Sequence, residues 1–401
     1  MVELISDLDI LIIGQQAWDT GIGSNCKNIA VELSKTNRVL YVNSPLDRIT
    51  RLKARGDVDV IKRLDVIKHK ESGLVEVQHN LWIFYPDCMV ESINWINNTA
   101  VFDFFNKRNN KKFSESILRA LKMLNFEKYI LFNDGEIFKG FYAGHFLHPL
   151  LRIYYVRDFL TGVPYWRKHG SRLEPLLIRN SDLCLCNSQY LTLYCREYNP
   201  NSFNIGQGVD IDDLVDIRAT KPEDLEPIKG KIIGYVGALS SARLDIEILV
   251  HIALNFPTYS LVLIGYEDNE FRFSKLHNMS NVYFLGQKPT TVISSYISNF
   301  DVCINPQLVN DITLGNYPRK IDEYLLFGKP VVATKTVSME IFKDYVHLAE
   351  TKDEYIEFIS NALQSDNKDL QKWRIDFAKT HTWAKSVGEM FQHIQQTLSH
   401  H

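Results

Sequence analysis

The chain has 401 residues, of which 45% are apolar and 23% charged, with 45 Lys and Arg against 48 Asp and Glu and a net charge of −3. This is a globular composition, long enough for two domains, and the absence of any run of eighteen apolar residues excludes a transmembrane helix. Six cysteines without a Cys-x-x-Cys pair fit a reducing cytoplasm.

The charge is uneven along the chain: residues 1–205 hold 26 Lys and Arg against 22 Asp and Glu, and the remainder holds 19 against 26. The basic clusters at Arg48–Lys70 and Lys107–Lys122 suit anionic lipid head groups at the inner face of a membrane, or are solvated helix faces. Nucleic acid is not expected as a partner, because the domain is not strongly basic overall. Met1 to Asp9 carries acids and no basic flank, so it is not read as a secretory leader.

The first half opens with a buried strand, Ile10–Ile13, that stops at Gly14. A glycine-bearing turn with Gly21 and Gly23, an amphipathic helix through Leu33 and a strand Val39–Val42 complete a βαβ opening. Gly21 and Gly23 would let a backbone approach a phosphate, or simply form a helix-entry loop. No third glycine and no acid at Tyr41-Val-Asn43 complete a dinucleotide fingerprint, which disfavours a dehydrogenase. Further strands are predicted at Leu81–Tyr85, Tyr129–Phe132, Arg152–Val156, Leu183–Cys186 and Asn204–Ile205. Cys184 and Cys186 face one side of their strand and read as core. Asp158 follows a strand end, where a carboxylate would remove a proton from an attacking hydroxyl or pair with Arg157 or Arg167. His145 and His148 lack a metal-ligand pattern.

Residues 211–230 carry acids and prolines and read as a linker. The same grammar then restarts with a strand Lys231–Val236 ending at Gly237. The turn to Asp245 carries Arg243 near a helix start, suited to a pyrophosphate, while Asp245 suits a cap. Strands follow at Leu261–Ile264, Val282–Phe284, Val302–Ile304 and Val331–Ala333, and a last helix spans about Ala384–Leu398. Behind Val282–Phe284, the turn Gly286-Gln-Lys288-Pro289 would offer backbone bonds to a base ring or be an ordinary tight turn. Short apolar strands separated by helices predict parallel, buried sheets. The fold class is therefore α/β, with two doubly wound domains at 1–210 and 231–380, and with 381–401 as a helix packing back towards the first domain.

The segment 302–334 is the richest in chemistry. Pro318 is placed to open a helix and Gly328 to close it. Lys320 and Glu323 share one helical face. A helix start with a cation suits phosphate oxygens, and a carboxylate suits a ribose diol.

Val309-Asn-Asp-Ile-Thr313, Asn316-Tyr-Pro-Arg-Lys320, Glu323-Tyr-Leu and Gly328-Lys-Pro-Val-Val-Ala-Thr334 together resemble the donor end of GT-B glycosyltransferases of family four, the glycosyl transferases group 1. The resemblance is to the branch that makes bacterial surface polysaccharide and teichuronic acid. Gly234-Tyr-Val-Gly237, Leu263-Ile-Gly265 and Phe284-Leu-Gly286 share its pattern, as do Asn187-Ser188 and Gly208-Val-Asp210. It implies two Rossmann-like domains facing a central cleft. A nucleotide sugar, expected to be a UDP-sugar, would be held by the C-terminal domain, and a glycan or lipid-linked acceptor by the N-terminal one. It assigns Glu323 to the ribose and the backbone at Arg319 and Lys320 to the diphosphate. No metal or other cofactor is expected. Two positions depart from the family pattern: its first glutamate falls at Gly315, and its Gly-Arg is Gly237-Ala238. The sugar contacts are then expected from Asn310, Asp311 and Thr313. Two other readings stand beside sugar transfer: a GT-B subunit without chemistry, and a sugar-nucleotide epimerase.

Overall fold

The computed structural model describes residues 8–20, 23–209 and 220–399. The chain divides into two compact units, Met1–Gly206 with Trp383–His401, and Gln207–Thr382.

The first unit contains β1 (Asp9–Gly14), β2 (Arg38–Val42), β3 (Leu46–Asp47), β4 (Leu74–Gln78), β5 (Leu81–Phe84), β6 (Met89–Val90), β7 (Tyr129–Asp134), β8 (Leu151–Val156), β9 (Leu183–Cys186) and β10 (Ser202–Asn204). Eight of them form a sheet in the order β10-β9-β8-β7-β1-β2-β5-β4, and β3 pairs with β6. The large sheet is parallel except where β4 runs against β5. Alternate residues of a strand point to opposite faces. Ile10 and Ile12 of β1 therefore join the core on one face with Tyr41, Phe132 and Tyr155, and Leu11 and Ile13 join the core on the other with Leu40 and Leu131. With both faces covered, the central strands are continuous apolar runs.

The second unit has β11 (Ile232–Val236), β12 (Ser260–Ile264), β13 (Val282–Phe284), β14 (Val302–Asn305), β15 (Val331–Thr334) and β16 (His347–Ala349). They form one parallel sheet in the order β13-β12-β11-β14-β15-β16. Each sheet has a point where the strand order reverses, at β1–β7 in the first unit and at β11–β14 in the second. Loops leaving the carboxyl ends diverge there, which is where open α/β sheets hold ligands.

The last helix, Trp383–Ser399, buries Trp383, Val387, Met390, Phe391 and Ile394. That helical stripe lies in the first unit's core beside Ile10, Ile12 and Ile29. The expected linker 211–230 is partly something else. Residues 211–219 lie outside the described residues, but Leu225 and Ile228 are buried in the second unit's core. The edge strand β4 was not expected because four of its five residues are exposed and it shows no inward alternation.

Glu174 is a buried carboxyl group on the helix Pro164–Arg179, accepting from Tyr154 Oη at 2.9 Å and Tyr194 Oη at 3.1 Å. Burial outweighs these donors and pushes its pKa from 4.5 up to about 7. The folded state thus holds this proton over a range where the unfolded chain has lost it. The stabilisation is complete below about pH 4.5 and is lost as pH rises through about 7. We expect Glu174→Gln to flatten this part of the pH dependence. Relative to wild type, the variant should gain up to about 3 kcal/mol between pH 4.5 and 8, read from urea midpoints. Parallel wild-type and variant curves would contradict this.

Candidate functional site

In the second unit, three glycines draw the strand-end loops together. Gly237 follows β11 with φ 144°, Gly265 follows β12 with φ 153°, and Gly286 lies just beyond β13 with φ 68°. Gly237 N donates to Ile264 O at 2.9 Å, and Gly265 N donates to Gly286 O at 3.0 Å. A Cβ on Gly265 would lie 1.9 Å from Gly237 O, so only glycine permits this approach.

The turn after β11 is stitched to the loop after β14. Asp245 N donates to Pro306 O at 2.9 Å and Leu308 N to Arg243 O at 2.8 Å. Asn310 Nδ2 donates to Ala242 O at 3.0 Å. Asp245 also caps the helix Ile246–Asn255.

Lys320 begins the helix Lys320–Leu326. Its Nζ lies 2.5 Å from Tyr235 Oη and 4.1 Å from that ring's centroid. Among the described residues no carboxylate pairs with it. A Cβ on Gly237 would meet Nζ at 2.7 Å and Tyr235 Oη at 2.9 Å, so the ammonium group stands directly over the glycine turn. Glu323, one turn on, lies 3.3 Å from Arg319 Nε. Below them, Tyr317 Oη donates to Asp322 Oδ2 at 2.7 Å, and His381 Nδ1 lies 2.6 Å from Asp322 Oδ1. Burial raises the pKa of Asp322 despite these donors.

In the first unit, the carboxyl ends of β7 and β8 carry a second polar group. Arg157 Nε pairs with the buried Asp134 at 3.0 Å, and its Nη1 pairs with Asp158 at 3.1 Å. Burial opposes the Arg157 cation, but the two carboxylates outweigh it and raise its pKa.

The structure thus brings Gly237, Arg243, Asn310, Arg319, Lys320 and Glu323 to the loops and helix around one switch point. Several predicted roles change. The helix opens at Lys320 rather than Pro318, whose carbonyl accepts from Ile321 N at 2.9 Å. Thr313 is 1% exposed and donates to Leu308 O, and Asn310 Oδ1 accepts from Ile312 N at 3.0 Å and Thr313 N at 3.2 Å. Both side chains hold the loop's own shape, so a direct contact with a sugar is not their observed role. Asp311 is exposed on the same loop. The Lys288 side chain turns to Asp224 at 2.7 Å, away from a role through its charge. Asp158 takes the pairing with Arg157 that the sequence left open. Gly23 is exposed just before Ser24, the cap of the helix Asn25–Ser34. Gly21 lies outside the described residues. Sequence reading missed Tyr235, the Asp134–Arg157 pair and the Tyr317–Asp322–His381 cluster, because their partners lie up to 85 residues apart in the chain.

Residues 230–365 match the family described as Glycosyl transferases group 1. Over 230 residues the chain is 24% identical to TuaH of Bacillus subtilis (strain 168), named as a teichuronic acid biosynthesis glycosyltransferase. That match spans 54% of this chain and 57% of TuaH, little more than half its length. Among solved structures, sucrose-phosphate synthase from Thermosynechococcus elongatus superposes with a TM-score of 0.71 at 15% identity, covering 98% of this chain and 100% of that one. Anabaena HepE, crystallised with UDP, gives 0.63 at 16% identity, covering 98% and 100%. The fold is GT-B. Residues 230–365 carry the likeness to the group 1 glycosyltransferases.

Gly265→Ala should force the β11 and β12 loops apart, since the clash is with backbone that cannot swing aside. We expect a loss of about 2–4 kcal/mol in the second unit and weakened nucleotide binding. Gly237→Ala meets side-chain tips, Lys320 Nζ and Tyr235 Oη, rather than backbone, so it should cost less stability but displace Lys320. Equal thermal shifts for the two variants would contradict this ranking.

Proposed function

We propose that the chain transfers a sugar from a UDP-sugar to a hydroxyl of a glycan or lipid-linked acceptor in bacterial surface polysaccharide synthesis. The observation that carries this reading is the uncompensated Lys320 ammonium, held by Tyr235 over the Gly237 turn at the start of a helix that presents Glu323 one turn on. The HepE neighbour in complex with UDP and the TuaH relative named for teichuronic acid synthesis support the same chemistry.

Glycosyl transfer asks for little covalent help. As the bond to the anomeric carbon breaks, negative charge grows on the departing diphosphate. Lys320 and, from the neighbouring turn, Arg243 are assigned to meet that charge without a metal ion. A cation already fixed by Tyr235 costs little reorganisation at the moment of reaction. Glu323 is assigned to the ribose hydroxyls and Asp158 to the acceptor proton. Arg157, 3.1 Å from Asp158, holds that carboxylate in place.

Exposed Ile49, Leu52, Val58 and Ile61 lie among Arg48, Arg51, Lys53, Arg55 and Lys62. This mixture of apolar and basic side chains supports peripheral contact with an anionic membrane. Among the described residues, no helix is long and apolar enough to cross one.

Lys320→Ala should lower kcat/KM by roughly 100-fold, about 2.7 kcal/mol of transition-state stabilisation, with most of the loss in kcat. Activity within twofold of wild type would remove Lys320 from the reaction. Glu323→Ala should weaken UDP binding by at least about tenfold in calorimetry while leaving the fold intact. An unchanged UDP affinity would remove Glu323 from the ribose.

A further inference from the structure

The first unit holds a cavity of about 660 Å³ that none of the predicted site residues lines. Its walls come from the segments after β2, β5, β7 and β8, so it opens at the carboxyl ends of four parallel strands. Its size falls within the ~300–1,000 Å³ of small-molecule sites.

The lining combines three features. The first is aromatic. Trp95 is 70% exposed and Tyr165 57%, yet both are fixed. Trp95 Nε1 donates to Ser92 O at 2.7 Å, and Asn94 Nδ2 donates to Tyr165 O at 2.9 Å. Tyr165 also rests edge-on against Phe138, with centroids 6.4 Å apart. A solvent-facing tryptophan pinned in this way is a platform without a partner.

The second feature is amide groups without partners. Asn94 Oδ1 and Asn106 Nδ2 are buried and make no hydrogen bond. Asn106 is held by Asn110 Nδ2, which donates to its backbone oxygen at 2.8 Å. Unpaired buried polar atoms cost free energy and call for a ligand or water.

The third feature is charge. Two carboxylates and two lysines line the cavity, but the carboxylates are already committed. Asp47 accepts from Ile49 N, Thr50 N and Ser92 Oγ, and Glu91 pairs with Arg48 at 2.7 Å. Lys139 and Lys168 remain: neither is in a close ion pair among the described residues, although the Lys139 charge acts on Asp47 from a distance.

Aromatic faces suit the C–H face of a sugar ring, amides suit its hydroxyls, and two ammonium groups without a close carboxylate suit an anionic substituent. We propose that this cavity binds the acceptor, and that the acceptor sugar carries a negative charge, as a carboxylate or a phosphate, placed against Lys139 and Lys168. The proposal rests on reading the chain as a sugar transferase.

Calorimetry with three disaccharides tests it: one neutral, one ending in a uronic acid and one ending in a sugar phosphate. Both anionic probes should bind at least about fivefold more tightly than the neutral one, and a preference between them identifies the source of the charge. Trp95→Ala should weaken all three at least about tenfold. The double variant Lys139→Ala/Lys168→Ala should bring the anionic probes to the neutral affinity. Trp95 and Lys168 are exposed and Lys139 is half-buried; circular dichroism and melting curves should match wild type. Wild type that binds UDP but no disaccharide, or Trp95→Ala that binds like wild type, overturns the proposal. Wild type that binds the anionic probes through Trp95 but not UDP leaves the cavity assignment standing and removes the transferase reading.

Discussion

A Cβ on Gly265 would sit 1.9 Å from the carbonyl oxygen of Gly237, so the loops after β11 and β12 touch backbone to backbone. The rest of the second unit's binding edge follows from that approach. It fixes the turn in which Gly237 takes φ 144°, and that turn leaves space only for the tip of Lys320 and the hydroxyl of Tyr235. The loop after β14 is then tied to the same turn through Pro306, Leu308 and Asn310. Polar backbone that would otherwise need water is satisfied inside the edge, and the edge keeps its shape before any ligand arrives.

The two switch points differ in charge, and this bears on the proposed placement of the diphosphate. In the first unit, Arg157 lies between Asp134 and Asp158, so its charge is more than matched. An added anion there would face two carboxylates. In the second unit, the Lys320 ammonium has a phenol and an aromatic face as its neighbours. These hold its position without cancelling its charge. Two sheets that share a central strand order thus present opposite electrostatics, which supports the assignment of the proposed donor's phosphates to the second.

Much of this was legible in the chain. Apolar β-branched runs ending in glycine located the central strands to within a residue or two, because both faces of those strands are buried and every residue carries the signal. The edge strands β4 and β16 carry less of it, β4 being mostly exposed and β16 only partly buried. Lys320 and Glu323 were legible because helical spacing puts both on one face. Asn310 and Thr313 were expected to meet the sugar because the family's first glutamate falls at Gly315. Their actual partners are backbone groups of their own loop, a choice set by loop conformation and not by residue type. His381 and Asp322 gave no signal at all, since only the folded chain joins residues 59 apart. The cavity proposed for the acceptor was hidden for the same reason: Asp47, Trp95, Phe138 and Tyr165 come from four different crossovers.

The helix that carries Lys320 and Glu323 has seven residues and no side-chain cap at Arg319. A helix of two turns is not stable by itself in water, so its position must be set from outside. Two buried anchors do this. Tyr324 Oη accepts from Val236 N at 2.9 Å, which ties the helix to the end of β11. Asp322, on a neighbouring face, is gripped by Tyr317 and His381. An apolar residue in place of Asp322 would pack as well, but it would not fix the helix in register along its axis. In some proteins, buried polar groups with full hydrogen bonding contribute to uniqueness of position more than to net stability. Here uniqueness is what the proposed chemistry needs, because a shift of one ångström at Lys320 would separate it from Tyr235 and from the charge it is assigned to meet.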